Sequence, residues 1–147
     1  MKTKLTRQRV AWWWGAILLL TGIVLTPNFG GGQPMALPTG TLAADELLRL
    51  FSDKTVYSVT AVRKRESVSY YAPSGELLQM RNGVKRAGHW RVTANDRICL
   101  QMENLPEKCR IVVKEDGEYK KYIVKKNGRH QHSVSYVRFR DGNPLGL

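Results

Sequence analysis

Three histidines and two cysteines are the residues of this 147-residue chain best suited to chemistry. His130 and His132 stand two apart in "GRHQHS", so both imidazoles share a face if Gln131 lies in a strand. His89 lies earlier, in "AGHWRV". Together they have the ligand count of a catalytic zinc site with its fourth position left to water. Against that reading, His130 and His132 follow an Asn127-Gly128 turn, at the mouth of a hairpin. No Asp or Glu is close by in sequence to orient a ligating imidazole. The expectation is therefore no metal and no other cofactor.

Cys99 and Cys109 lie on what read as consecutive strands, with the turn between them centred near Asn104-Leu105. Folding about that point sets them opposite each other, at a spacing that a disulfide can join. A structural disulfide is the expected outcome; a redox pair and two buried thiols are the competing ones. The Cys-x-x-Cys spacing of redox sites is missing. Closing so short a loop contributes up to about 3 kcal/mol in the chain-entropy picture. The sequence has no Gly-x-Ser-x-Gly, no His-Glu-x-x-His and no phosphate-binding loop. The acidic group Glu115, Asp116 and Glu118 reads as a solvated hairpin tip. A non-enzymatic protein is expected.

Charge is the other signal. Lys and Arg number 24 against 12 Asp and Glu. Lys2, Lys4, Arg7 and Arg9 precede an apolar run, and no basic residue lies between Thr26 and Ala44. The remaining excess belongs to residues 45–147. It gathers at Arg63, Lys64 and Arg65, at Lys85 and Arg86, and at Lys120, Lys121, Lys125, Lys126 and Arg129. Such a surface favours anionic partners, of which an acidic membrane-protein partner or lipid headgroups fit best. A solvated face with no partner is the plainer alternative. Tyr70, Tyr71, Tyr119, Tyr122 and Tyr136 are interleaved with these cations, as in binders of single-stranded nucleic acid. An exported protein rarely meets nucleic acid, so the tyrosines read instead as core or cross-strand pairs.

The elements that must position these groups start with a leader. Val10 to Leu25 carries no charge and is 16 residues long. That falls between the apolar cores of signal peptides, about 7–15 residues, and spanning helices, about 17–25. Trp12, Trp13 and Trp14 beside the basic flank suit a retained anchor at the membrane interface. Gly30 to Gly32, or Thr41 to Ala43, offers a cleavage site. Residues 1–26 are thus a signal anchor or a signal peptide. Either way the basic flank stays cytoplasmic and the remainder is exported. The composition is bacterial in style. The destination is the inner membrane, with the domain in the periplasm, or the periplasm itself after cleavage. Residues 27–40, rich in Pro and Gly, read as a linker, and 41–147 as the extracytoplasmic domain.

That domain opens with an amphipathic helix in "TLAADELLRLFSDK", capped by Thr41, with Leu47, Leu48 and Phe51 on one face and Leu50 extending it. From Thr55 the pattern changes to period two. Eight short strands follow: "TVYSVTAV", "SVSYYA", "LLQMR", "AGHWRVT", "RICLQM", "KCRIVVK", "EYKKYIVK" and "HSVSYVRF". Tight turns separate them. An all-β antiparallel meander of this length closes into a small barrel or remains a bent sheet with the helix across it.

"YYAPSGEL" (Tyr70–Leu77), "GHWRV" (Gly88–Val92), the Cys99 and Cys109 pair and "GNPLGL" (Gly142–Leu147) follow one another in order. They resemble a family of small exported proteobacterial proteins with Tyr-Tyr-x-x-x-Gly, Gly-x-Trp-x-Val, two cysteines and a closing Gly-Asn-Pro. The likeness covers residues 45–147 and implies a periplasmic β-domain without a particular activity. This chain is more basic and adds the Trp-rich leader. The function expected is that of an accessory protein, tethered to the membrane and docking through its basic face. The alternative is a soluble periplasmic barrel that holds a small apolar ligand at its mouth.

Overall fold

The computed structural model describes residues 36–147. The leader, with Trp12, Trp13 and Trp14, lies outside the described residues. Among those residues, no helix is long and apolar enough to cross a membrane.

One helix, α1 (Ala44–Phe51), precedes eight strands: β1 (Lys54–Thr60), β2 (Glu66–Tyr71), β3 (Glu76–Arg81), β4 (Val84–Thr93), β5 (Arg97–Met102), β6 (Lys108–Glu115), β7 (Glu118–Val124) and β8 (His130–Asp141). Each strand pairs antiparallel with the next, and β8 returns to β1, which closes the barrel. The strands alternate because one face is buried. The tightest connections need left-handed backbone at two successive residues. Asn82-Gly83 and Asp116-Gly117 supply it, with φ of 51° and 73°, and 51° and 84°.

α1 plugs one end. Leu47 and Phe51 are fully buried, and Leu50 packs beside them. Leu48 is not on that face: it sits one residue, or about 100°, around the helix from Leu47 and is exposed. Nor is Thr41 the cap. Its hydroxyl donates to the Pro38 carbonyl at 2.6 Å, and the residue bridges to Val113. The helix begins after Ala43, whose N–H is taken by the Glu46 carboxylate at 2.8 Å. Asp96 accepts the next N–H, from Ala44, at 2.8 Å. Two carboxylates thus satisfy two of the four free N–H groups at the helix start.

The interior is layered along the barrel axis. Nearest the plug is an aromatic layer in which Phe51 contacts Tyr71, Tyr136 and Phe139 with ring centroids 5.0, 5.1 and 5.7 Å away. Trp90 meets Tyr71 edge-on at 5.5 Å. A hydroxyl and amide layer follows: Ser58 and Ser67 hydroxyls lie 3.1 Å apart, and the Gln79 amide donates to Ser69 at 3.1 Å. Beyond it, the open end is cationic.

The last residues of the sequence-predicted linker are part of the domain. Gly40 O accepts the Lys114 N–H at 2.8 Å, and a Cβ at Gly40 would come within 2.6 Å of the Lys114 carbonyl oxygen. The chain therefore enters the barrel at the plugged end.

Candidate functional site

The strand alternation that buries Leu77 and Val112 carries on toward the open end and turns Gln79, Arg81 and Arg110 inward as well. On β7 the inward set is Tyr119, Lys121 and Ile123, since Lys121 pairs with Val112. The result is a cavity of about 350 Å³ in the open mouth. Arg81, Arg86, Lys108, Arg110 and Lys121 line it, with Leu100, Met102, Ile123 and Val134 as its apolar wall. No carboxylate is among the lining residues.

Three of these cations are poorly compensated. Arg81 donates to Ser67 only at 3.5 Å, and its Nε–H is buried without a partner among the described residues. The Arg110 guanidinium donates to the Cys109 carbonyl at 2.7 Å. The Lys121 ammonium lies 5.7 Å over the Tyr136 ring. Among the described residues none of the three forms an ion pair. Burial pushes Lys121 down to about 8, and the neighbouring charges of Arg110 and Arg81 push the same way. Burial also lowers Arg81, helped by Arg86 and Arg65.

The turns around this mouth hold Arg63, Lys64 and Arg65 between β1 and β2, and Lys125, Lys126 and Arg129 between β7 and β8. All six are exposed. Glu66, Glu103 and Glu107 are the acidic residues at this end. Glu107 is occupied by Arg91 through two bonds of 2.7 Å. The other acidic residues, including Asp53, Glu76, Asp96, Glu115, Asp116, Glu118 and Asp141, lie at the plugged end or on α1. The plugged end also holds Arg49, Lys54, Arg97, Lys114, Arg138 and Arg140, which largely offset its carboxylates, so the net positive charge of the domain gathers at the open end.

The basic residues singled out in the sequence thus separate. Lys121 enters the mouth. Its neighbour Lys120 alternates outward and pairs with Glu115 at 3.3 Å and Glu118 at 3.8 Å. Glu115 is not a freely solvated tip residue: its carboxylate is half-buried and accepts the Tyr122 hydroxyl at 2.9 Å. That bond, with Lys120, holds it below the usual carboxylate range. Arg81 and Arg110 were not singled out from sequence. Their signal was available in the inward parity set by Leu77 and Val112.

The histidines do not assemble. His89 lies on β4, and His130 and His132 lie across the barrel on β8. His132 instead approaches Tyr122, with ring centroids 5.4 Å apart, and the Ser135 hydroxyl at 3.1 Å. Among the described residues only Cys99, Glu107 and Cys109 cluster within ligating distance. The two sulfurs there are bonded to each other. Cys99 and Cys109 face each other across β5 and β6, Cα atoms 3.9 Å apart, in the expected disulfide.

Fold and site together define a helix-plugged, eight-stranded antiparallel barrel with a cationic mouth. No family model, curated protein or solved structure matches this chain.

Proposed function

We propose that this chain is a non-enzymatic interaction module of an exported compartment, which presents the cationic open end of its barrel to an acidic membrane-protein partner. The uneven distribution of charge along the barrel axis carries this reading. At the plugged end, where the chain enters, carboxylates and cations are nearly balanced, whereas exposed lysines and arginines dominate the opposite end. An uneven surface charge of this kind favours one orientation toward a negative partner. The Cys99–Cys109 disulfide supports an oxidising compartment, and the basic, Trp-rich leader supports a tether to the inner membrane.

Site-specific photo-crosslinking in intact cells tests the reading. A crosslinker at Arg63 or Lys126 is expected to capture an acidic membrane protein, and one at Asp116 to capture none. Equal capture from both ends would sink it. Intact mass of the chain from membrane and soluble fractions tests the tether, and a processed chain in the soluble fraction alone would remove it.

A second reading, a barrel that holds a small ligand, draws on the cavity. Its lining of unpaired cations favours an anion over the apolar ligand expected from sequence.

A further inference from the structure

We infer that the mouth of the barrel is a binding site for a phosphoryl group, built from Arg81, Arg110 and Lys121. It goes beyond the docking reading, because these side chains point into the cavity, whereas the exposed turn residues are the ones that would meet a protein surface.

Cations drawn partly out of water, as Arg81 and Arg110 are and Lys121 more fully, are ordinarily paired, and leaving them unpaired is costly. Here three converge from β3, β6 and β7 with no carboxylate in the lining, and a buried Arg81 Nε–H has no acceptor among the described residues. An anion in the cavity supplies what is missing. Its charge and shape follow from the donor set. A carboxylate has two oxygens and one charge, which a single guanidinium fork satisfies. That would leave two cations uncompensated. A phosphate monoester has nearly two charges and three terminal oxygens, so it can meet two guanidinium groups and an ammonium at once. The Thr60 hydroxyl, which accepts the Arg65 N–H and keeps its own O–H, and the second N–H of the Gln79 amide, also in the lining, are suited to the remaining oxygen lone pairs. The apolar wall of Leu100, Met102, Ile123 and Val134 leaves room for an organic substituent beside the phosphoryl group.

The test is titration of the disulfide-bonded full chain, held in detergent, with inorganic phosphate, phenyl phosphate and acetate by calorimetry. Saturable binding at one site is expected, with phenyl phosphate tightest and acetate at least about tenfold weaker than phosphate. Lys121→Met and Arg81→Met are each expected to weaken phosphate by about tenfold or more, while Arg63→Gln and Lys126→Gln leave it unchanged. Near-ultraviolet circular dichroism checks that the variants fold. Phosphate-induced NMR shifts in the wild-type chain, confined to mouth residues of β3, β6 and β7, give a readout that needs no variant. Equal binding of phosphate and acetate, non-saturable binding, or wild-type affinity in Lys121→Met would overturn the assignment.

Vesicles of phosphatidylcholine with phosphatidic acid separate the sources. Binding that inorganic phosphate displaces assigns a lipid headgroup, and phosphate binding without vesicle binding assigns a soluble phosphomonoester. Crosslinking from Arg63 and Lys126 reads the docking proposal separately, so either proposal can fail while the other stands.

Discussion

Trp90 donates its indole N–H to the carbonyl of Ala72 at 2.8 Å, from inside the aromatic layer. The bond ties β4 to the turn that joins β2 to β3, beneath α1. It explains why a tryptophan, rather than another large ring, suits the "GHWRV" segment. Trp90→Phe keeps most of the apolar area and removes this bond, while the Ala72 carbonyl keeps the Gly75 N–H at 3.0 Å. It is expected to destabilise the domain by about 0.5–1.5 kcal/mol, the net worth of one hydrogen bond, read as a lower urea midpoint with an unchanged slope.

Gly88, two residues earlier, is set by space. A Cβ there would come within 2.3 Å of the Gln101 carbonyl oxygen and 2.9 Å of the Met102 Cα, both backbone atoms of β5. Gly88→Ala must push β4 and β5 apart. The expected outcome is a loss of about 3 kcal/mol or more, with amide exchange in β5 accelerating before that in β1. Unchanged stability would mean that the two strands are not packed this closely.

The disulfide lies on the outer side of β5 and β6, with Cys99 fully buried beneath it. Replacing both cysteines by alanine is expected to cost about 2–3 kcal/mol, since the bond closes a short loop. The variant should still fold, because neither the plug nor the aromatic layer touches the bridge. Thermal unfolding of oxidised, reduced and Cys99→Ala/Cys109→Ala chains checks this, and identical midpoints would refute it.

Lys121 makes stability depend on pH in the alkaline range. The groups facing it are Arg81 on β3, Arg110 on β6 and the Tyr136 ring on β8. Its folded-state pKa, about 8, lies below the ordinary lysine value of 10.5, so the unfolded chain holds more protons between these values. Stability therefore rises from pH 8 toward 10. Above pH 10 it falls, because burial raises the phenols of Tyr71 and Tyr136 and the unfolded chain loses protons first. Lys121→Met should abolish the rise and raise stability at pH 7 by about 1–2 kcal/mol. Denaturant midpoints from pH 7 to 11 would reveal both effects.

Much of this fold is legible in the sequence because its signals are local. Period-two alternation and turn pairs such as Asn82-Gly83 mark the eight strands, and the spacing of Cys99 and Cys109 about their turn gives their register. Closure is not local: the pairing of β1 with β8 joins the two ends of the domain, and no short pattern marks it. The sequence places the helix start at Thr41 partly for the same reason: of the two carboxylates at its start, Glu46 is local, but Asp96, on the Ala44 N–H, is far along the chain. The mouth was half legible. Basic clusters pointed to an anion-seeking surface and included Arg86 and Lys121, yet clustering passed over Arg81 and Arg110. Arg81, Arg110 and Lys121 are scattered over three strands and meet only when the sheet curls.

The uneven arrangement of charge has a kinetic consequence. A domain whose positive charge is concentrated at one pole, while the other is nearly balanced, has an uneven field, and a negative target exerts a torque on it before contact. It arrives mouth first, so fewer encounters are wasted on misaligned collisions. Association accelerates while dissociation, set by the contacts made at the mouth, changes little. Added salt, by shortening the reach of the field, erodes that rate advantage first.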